Sequence, residues 1–232
     1  MNIKENLRTI QQDIKEACSR SNRQADDVHV IAVTKYVSDE TTKKAIEAGV
    51  KHIGENRAEA GLAKKEAVKE QATWHFIGSL QSRKVKQVIH EFDYFHSLDR
   101  LSLAKEFQKQ AEVGETIHCF VQVNVSGEDS KAGVHPDELL SFMKQLEAFP
   151  AVHVVGLMTM APFTDRPEET RPVFSGLRKL RDEVMSLQLP YAPCTELSMG
   201  MSNDYVVAIE EGATFIRIGT ALVGNEATAT SK

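Results

Sequence analysis

The chain has 232 residues, of which 41% are apolar, 26% charged and 6% aromatic; that length and composition support one sizeable core and exclude disorder as the main state. Its 28 Lys and Arg against 33 Asp and Glu leave a formal charge of −5, so charge gives no reason to expect nucleic acid or an acidic membrane surface as the principal partner. The three cysteines, Cys18, Cys119 and Cys194, show no CxxC spacing, which argues against a disulfide framework or a zinc site.

With no signal-like N-terminus and no apolar stretch of membrane-spanning length, the expected location is the cytoplasm. Apolar residues at 3, 7, 10, 14, 17 and 18 follow helical spacing and predict an amphipathic helix over about 2–20. A β-branched run over 28–34 predicts the first strand. Ser38-Asp39-Glu40-Thr41 then offers an N-cap and an acidic first turn to a helix that Gly49 stops.

The same alternation continues. Strands are expected near 50–54, 73–78, 93–97, 116–125, 152–159, 194–198 and 214–218, and helices near 38–48, 56–70, 83–91, 99–112, 136–149, 167–188 and 203–211. Eight strands separated by seven helices imply parallel pairing through right-handed crossovers and predict a single (β/α)8 barrel spanning 1–232, with an open doubly wound sheet as the rival. Only 14 residues follow Ile218, so the N-terminal helix is expected to cover that side of the barrel. The basic runs Lys64-Lys65 and Arg83-Lys84-Val85-Lys86 read as solvated helix faces.

In such a barrel, active sites lie at the C-terminal ends of the strands. Lys35 terminates the apolar run Val30-Ile31-Ala32-Val33. Desolvation there would lower its pKa and suit it to add to an aldehyde, whereas the plain alternative is a strand-end lysine reaching solvent. The turn Ser198-Met199-Gly200-Met201-Ser202-Asn203-Asp204, together with Gly219-Thr220, sits at the two strand ends where this fold usually binds phosphate; an ordinary capped helix is the alternative.

Arg217 should face the interior near the rim. There its guanidinium needs an acceptor, either a carboxylate such as Glu55 or Glu196 or a ring nitrogen of a cofactor. Lysine, phosphate cradle and arginine suit pyridoxal 5'-phosphate, although the spacing also fits a lysine-imine aldolase acting on phosphosugars. His75 reads first as a satisfied core residue. His52, His96, His118 and His153 share no ligand spacing, so no metal is expected; Met158 and Met160 read as barrel packing, with contact to a ligand as the alternative.

At these positions the chain resembles the pyridoxal-phosphate homeostasis protein family (YggS/PROSC type), which has the alanine-racemase-like barrel. The resemblance covers nearly the whole chain through Ala32-Val33-Thr34-Lys35, His52-Ile53-Gly54-Glu55-Asn56, Trp74-His75-Phe76-Ile77-Gly78-Ser79-Leu80-Gln81, Gly156-Leu157-Met158-Thr159-Met160, Ser198-Met199-Gly200-Met201-Ser202 and Arg217-Ile218-Gly219-Thr220. It implies that Lys35 carries pyridoxal 5'-phosphate as a Schiff base, that Ser198, Gly200, Ser202, Gly219 and Thr220 surround the phosphate, that Arg217 faces the pyridine nitrogen, and that Asn56 and Met158 line the ring pocket. Arg57, where the family commonly has tyrosine, and Arg83, where it commonly has asparagine, depart from the pattern.

Racemisation needs acid/base groups on both faces of a substrate carbanion, and Lys35 serves only one. In alanine racemases a C-terminal domain and a partner subunit complete the site. Here the four tyrosines (Tyr36, Tyr94, Tyr191 and Tyr205) would have to supply the second group from within one barrel. The resemblance therefore implies a non-catalytic, monomeric cofactor carrier in vitamin B6 homeostasis that exchanges pyridoxal phosphate with apo-enzymes, with an amino-acid racemase as the alternative.

Overall fold

Parallel strands pair only with strands brought alongside by a crossover, so each strand in this chain hydrogen-bonds to the next in sequence until the last meets the first. The computed structural model describes residues 2–69, 71–128 and 132–227. Its strands are β1 (His29–Val33), β2 (His52–Glu55), β3 (Thr73–Phe76), β4 (Tyr94–Leu98), β5 (Ile117–Gln122), β6 (Val152–Met158), β7 (Glu196–Met201) and β8 (Phe215–Ile218). They form a closed barrel in chain order, with β8 paired parallel to β1. The expected (β/α)8 architecture is therefore present and the open sheet is excluded.

The helices are α1 (Ile3–Arg20), α2 (Asp39–Glu47), α3 (Ala58–Val68), α4 (Val85–Val88), α5 (Leu101–Gln110), α6 (Leu139–Gln145), α7 (Arg171–Ser186), α8 (Tyr205–Glu210) and α9 (Thr220–Val223). Ser38 caps α2 by accepting from the Thr41 N–H, and α1 buries Ile3, Leu7, Ile10, Ile14, Ala17 and Cys18, the positions its periodicity marked. The expected helix over 83–91 is shorter. A 3-10 turn at Ser82–Lys84 leads into the single turn α4, whose apolar residues Val85 and Val88 are enough to cover this part of the barrel.

Because α9 is only four residues long, α1 packs against α8 and α9 and covers the side an eighth full helix would occupy. Asn6 Nδ2 donates to the Leu222 carbonyl at 2.9 Å, Arg20 pairs with Glu210 at 2.7 Å, and Tyr205 donates its hydroxyl proton to Asp13.

The largest correction concerns β7. The chain was expected to leave the sheet after residue 198, but the strand runs on to Met201. Ser198 pairs with Phe215 and Met201 with Arg217, so β7 uses one residue more than β8 between these partners, which makes a bulge. Gly200 permits it with φ +92, and a Cβ there would lie 2.6 Å from that of Ala208. Ser198 is thus held inside the barrel while Ser202 is delivered to its mouth.

One apolar layer fills the space between strands and helices. A smaller interior cluster of Ile31, Phe120, Met158 and Phe215 fills the barrel itself. The Phe215 ring touches those of His29, His52, His75, Tyr94 and Phe120, so the interior combines aromatic and imidazole rings. Gly156 allows β6 and β7 to approach closely, since a Cβ there would lie 2.1 Å from the Glu196 carbonyl oxygen. Gly156→Ala is expected to cost about 1–3 kcal/mol of stability, read as a lower urea midpoint with the slope retained. An unchanged midpoint would show that the β6–β7 spacing does not depend on the missing side chain.

Candidate functional site

β1 ends at Val33, and the next four residues turn at the upper rim of the barrel. The Val37 N–H donates to the Thr34 carbonyl at 3.1 Å. From α3, Lys64 Nζ donates to the carbonyls of Thr34 at 2.5 Å and Val37 at 2.9 Å and lies 2.9 Å from Glu55 Oε1, which also accepts from Thr34 Oγ1 at 2.5 Å. Glu226 adds a further tie, its N–H donating to the Tyr36 carbonyl at 3.0 Å while its carboxylate accepts from the Ser38 N–H at 2.7 Å. With the turn gripped at both ends, Lys35 and Tyr36 are left exposed at the mouth.

Three expectations are corrected here. Lys64 is buried as a clamp, so it does not belong to a solvated helix face. Glu55 pairs with Lys64 and not with Arg217. Lys35 follows the strand instead of ending it, and of its two expected settings, desolvated or reaching solvent, it takes the exposed one. Its Nζ lies 4.9 Å from the centroid of the Tyr36 ring.

On the neighbouring strand β8, which pairs with β1, Arg217 is 5% exposed and donates from Nη1 to Ser198 Oγ at 2.6 Å and from Nη2 to the Thr159 carbonyl at 2.9 Å. Glu196 is not its partner, and among the described residues no carboxylate comes within ion-pair distance of the guanidinium. Burial lowers its pKa to about 10, with Asp204 opposing the shift from longer range. Asp204 is itself buried, which raises its carboxyl pKa, while the Met201 N–H donates to it at 2.6 Å. Next to it, the N–H groups of Gly219 and Ala221 point at Ser202 Oγ from 3.3 and 3.4 Å.

These groups meet in a cavity of about 800 Å³, within the range typical of small-molecule sites. Lys35, Asn56, Ser202, Arg217, Gly219 and Thr220 all line it. Three other residues do not. Ser198 lies beneath the floor, fully buried against Arg217; Gly200 is part of the β7 bulge; and Met158 belongs to the interior cluster, while the partly exposed Met160 takes a place on the wall.

Arg57 and Arg83 are exposed and stay off the cavity wall, Arg83 donating to Gln81 Oε1 at 2.9 Å. Asp204, named in the sequence only as the end of the turn after β7, and Gln122, which sequence reasoning missed along with the Lys64 clamp, also line the walls. No cluster of three or more His, Cys, Asp or Glu suited to a metal occurs among the described residues. Among the same residues, no helix is long and apolar enough to cross a membrane.

Below the floor, His96 Nδ1 lies 2.9 Å from Ser198 Oγ, His96 Nε2 lies 2.9 Å from His75 Nδ1, and His75 Nε2 lies 3.0 Å from His52 Nδ1. His75 stacks on Tyr94 and His96 on Phe120. Burial holds His75 and His96 well below the usual imidazole pKa, helped by His96 in the first case and by Arg217 in the second, and lowers His52 to about 4. His75 is the buried, hydrogen-bonded core residue it was expected to be.

The sequence profile of the family described as "alanine racemase, N-terminal domain" matches residues 2–227. The pyridoxal phosphate homeostasis protein of Aquifex aeolicus is 42% identical over 229 residues, which cover 97% of this chain and 98% of that protein. PipY of Synechococcus elongatus, solved with PLP bound, superposes with a TM-score of 0.81 at 34% identity and covers 96% of this chain and 100% of its own. An alanine racemase from Clostridium difficile, 15% identical with a TM-score of 0.74 over 95% of this chain and 56% of its own, shares the fold.

The buried histidines make stability depend on pH. Their folded-state pKa values are depressed, so below about pH 6.5 the unfolded chain binds protons that the folded chain refuses, and stability present at pH 7 is lost on acidification. His75 alone should contribute a slope approaching about 1.4 kcal/mol per pH unit well below its unfolded pKa. Urea unfolding at stepped pH values should show that His75→Phe loses stability less steeply than the native chain below pH 6. Parallel curves would mean that His75 takes up its proton in the folded state.

Proposed function

Because the chain belongs to the alanine racemase N-terminal domain family, and within it to the pyridoxal phosphate homeostasis proteins, we propose that it binds pyridoxal 5'-phosphate covalently at Lys35 and holds it without turning over a substrate. When bound, that cofactor supplies an aldehyde carbon, a pyridine nitrogen that accepts a hydrogen bond, and a phosphate. The observation that carries the reading is Arg217, a buried guanidinium on the cavity wall with no carboxylate partner, which fits a neutral acceptor in front of it.

The residues divide the work by chemistry. Lys35 offers an exposed primary amine whose turn is fixed by Lys64 and Glu226, so it needs little reorganisation to meet an aldehyde in the cavity. Ser202, Gly219, Thr220 and Ala221 supply hydroxyl and backbone N–H donors at the ends of β7 and β8 and suit an anion. Asn56 supplies an amide on the cavity wall that could meet the ring. Gly200 contributes through the bulge that delivers Ser202, and Ser198 and Met158 contribute from below the floor, one by orienting Arg217 and the other by packing.

A donor-only cation at the ring nitrogen disfavours a protonated pyridinium and so weakens the electron sink that transamination or decarboxylation requires. Of the four tyrosines, Tyr36 alone lines the cavity, and it flanks Lys35 instead of facing it across the opening. Tyr94 is in the interior, Tyr191 bonds the Met143 carbonyl and Tyr205 bonds Asp13. No tyrosine is therefore placed to complete a two-base racemase, which supports a carrier that yields its cofactor to apo-enzymes. The carrier is proposed as a monomer, and three buried unpaired cysteines fit the cytoplasm.

Adding pyridoxal 5'-phosphate should give a visible absorption band that borohydride abolishes, leaving a mass label on Lys35 that Lys35→Ala lacks. A protein that binds no added cofactor would defeat the proposal, and Lys35-dependent racemisation of free amino acids would defeat the non-catalytic half of it. Arg217→Ala should shift the band and loosen binding with the fold retained. An unmoved band would make Arg217 a structural residue only.

A further inference from the structure

Arg217 reaches Ser198, and behind Ser198 three imidazoles from neighbouring strands hydrogen-bond in file across the barrel interior. A guanidinium donates and never accepts, so Ser198 Oγ must accept from Arg217 Nη1. The only other partner of that hydroxyl among the described residues is His96 Nδ1. If His96 donated there, the hydroxyl proton would be buried with no acceptor, which costs more than the reverse arrangement. Ser198 therefore donates to His96 Nδ1, and neutral His96 carries its proton on Nε2.

The same choice passes down the file. His96 Nε2–H donates to His75 Nδ1, and His75 Nε2–H donates to His52 Nδ1, which leaves the His52 proton on its Nε2. His52 is half-buried, and its ring packs beside that of the exposed His29, with centroids 5.2 Å apart. One donor-only cation at the upper mouth thus sets a single hydrogen-bond direction through the core. In return the file holds the Ser198 lone pair toward Arg217, while the Thr159 carbonyl holds the other amino group.

We propose that Ser198, His96, His75 and His52 are positioning residues that fix the guanidinium of Arg217 for the ring nitrogen of the bound cofactor. The cofactor half of this rests on the function proposed above; the hydrogen-bond direction does not. His75 and His96 do not line the cavity, so an effect on the bound chromophore has to travel through the file.

Two arms keep the failures apart. In the cofactor-free native protein at neutral pH, ¹⁵N resonances of the histidine side chains should report His96, His75 and His52 as neutral Nε2–H tautomers. An Nδ1–H tautomer at any of the three overturns the direction, whether or not the protein binds pyridoxal phosphate. In the loaded protein, His75→Phe keeps the ring stack on Tyr94 but removes both hydrogen bonds. It should shift the absorption band and weaken cofactor affinity by roughly fivefold. His118→Phe, outside the file, should leave both unchanged.

The decisive comparison is the double variant. In a Ser198→Ala background the file is already cut off from Arg217, so His75→Phe should add nothing. Additive effects would make His75 a packing residue and overturn the proposal. Native protein that takes up no cofactor would instead defeat the function proposed above, leaving the tautomer result to stand by itself.

Discussion

Closure is the constraint on which this structure depends. Eight parallel strands satisfy their edge N–H and C=O groups only when β8 returns to β1, and that return creates an interior that must be filled and a mouth where every strand ends. The crossover helices bury the outer face of the sheet. With α9 reduced to four residues, the barrel uses α1, from the far end of the chain, to cover the remaining side.

The interior is not filled by branched aliphatic residues alone. Ile31, Phe120, Met158 and Phe215 share it with a file of imidazoles, and a guanidinium sits above them. Such groups are tolerated only if each is hydrogen-bonded, since an unmatched polar atom in this setting costs more than a matched one gains. The file meets that condition without a single carboxylate and leaves Arg217 a cation whose outer side faces the cavity. Stability of the core and the character of the site therefore follow from one set of contacts.

A second buried network plays the corresponding part at the lysine wall. Lys64 and Glu55 form a buried pair whose spare hydrogen-bonding capacity is used on the Thr34 and Val37 carbonyls and the Thr34 hydroxyl. Breaking either partner would strand a charge inside the protein, so the pair is better understood as fixing the turn than as adding net stability. The Lys35 strand end thus presents an exposed amine on a turn tied down by hydrogen bonds. The guanidinium of Arg217 is held on β8, the strand paired with β1, so the two groups come to the mouth from neighbouring strands.

Much of this was legible in the amino-acid order. Alternating β-branched runs and amphipathic segments specify eight strand–helix units, and parallel units of that number close; Lys35, Asn56, Ser202, Arg217, Gly219 and Thr220 could be assigned to one rim because strand ends share a rim whatever the details. What the order of residues could not decide was depth. Ser198 and Met158 were assigned to the cavity wall and lie below it, Lys35 was left between a desolvated and a solvent-reaching amine and is exposed, and Lys64 was assigned to solvent and is buried. Depth depends on the register between strands and on the bulge at Gly200, which are settled by packing among residues as distant as 198 and 96. A periodic pattern reveals which residues share a face, but only the closed barrel determines how far down that face each one sits.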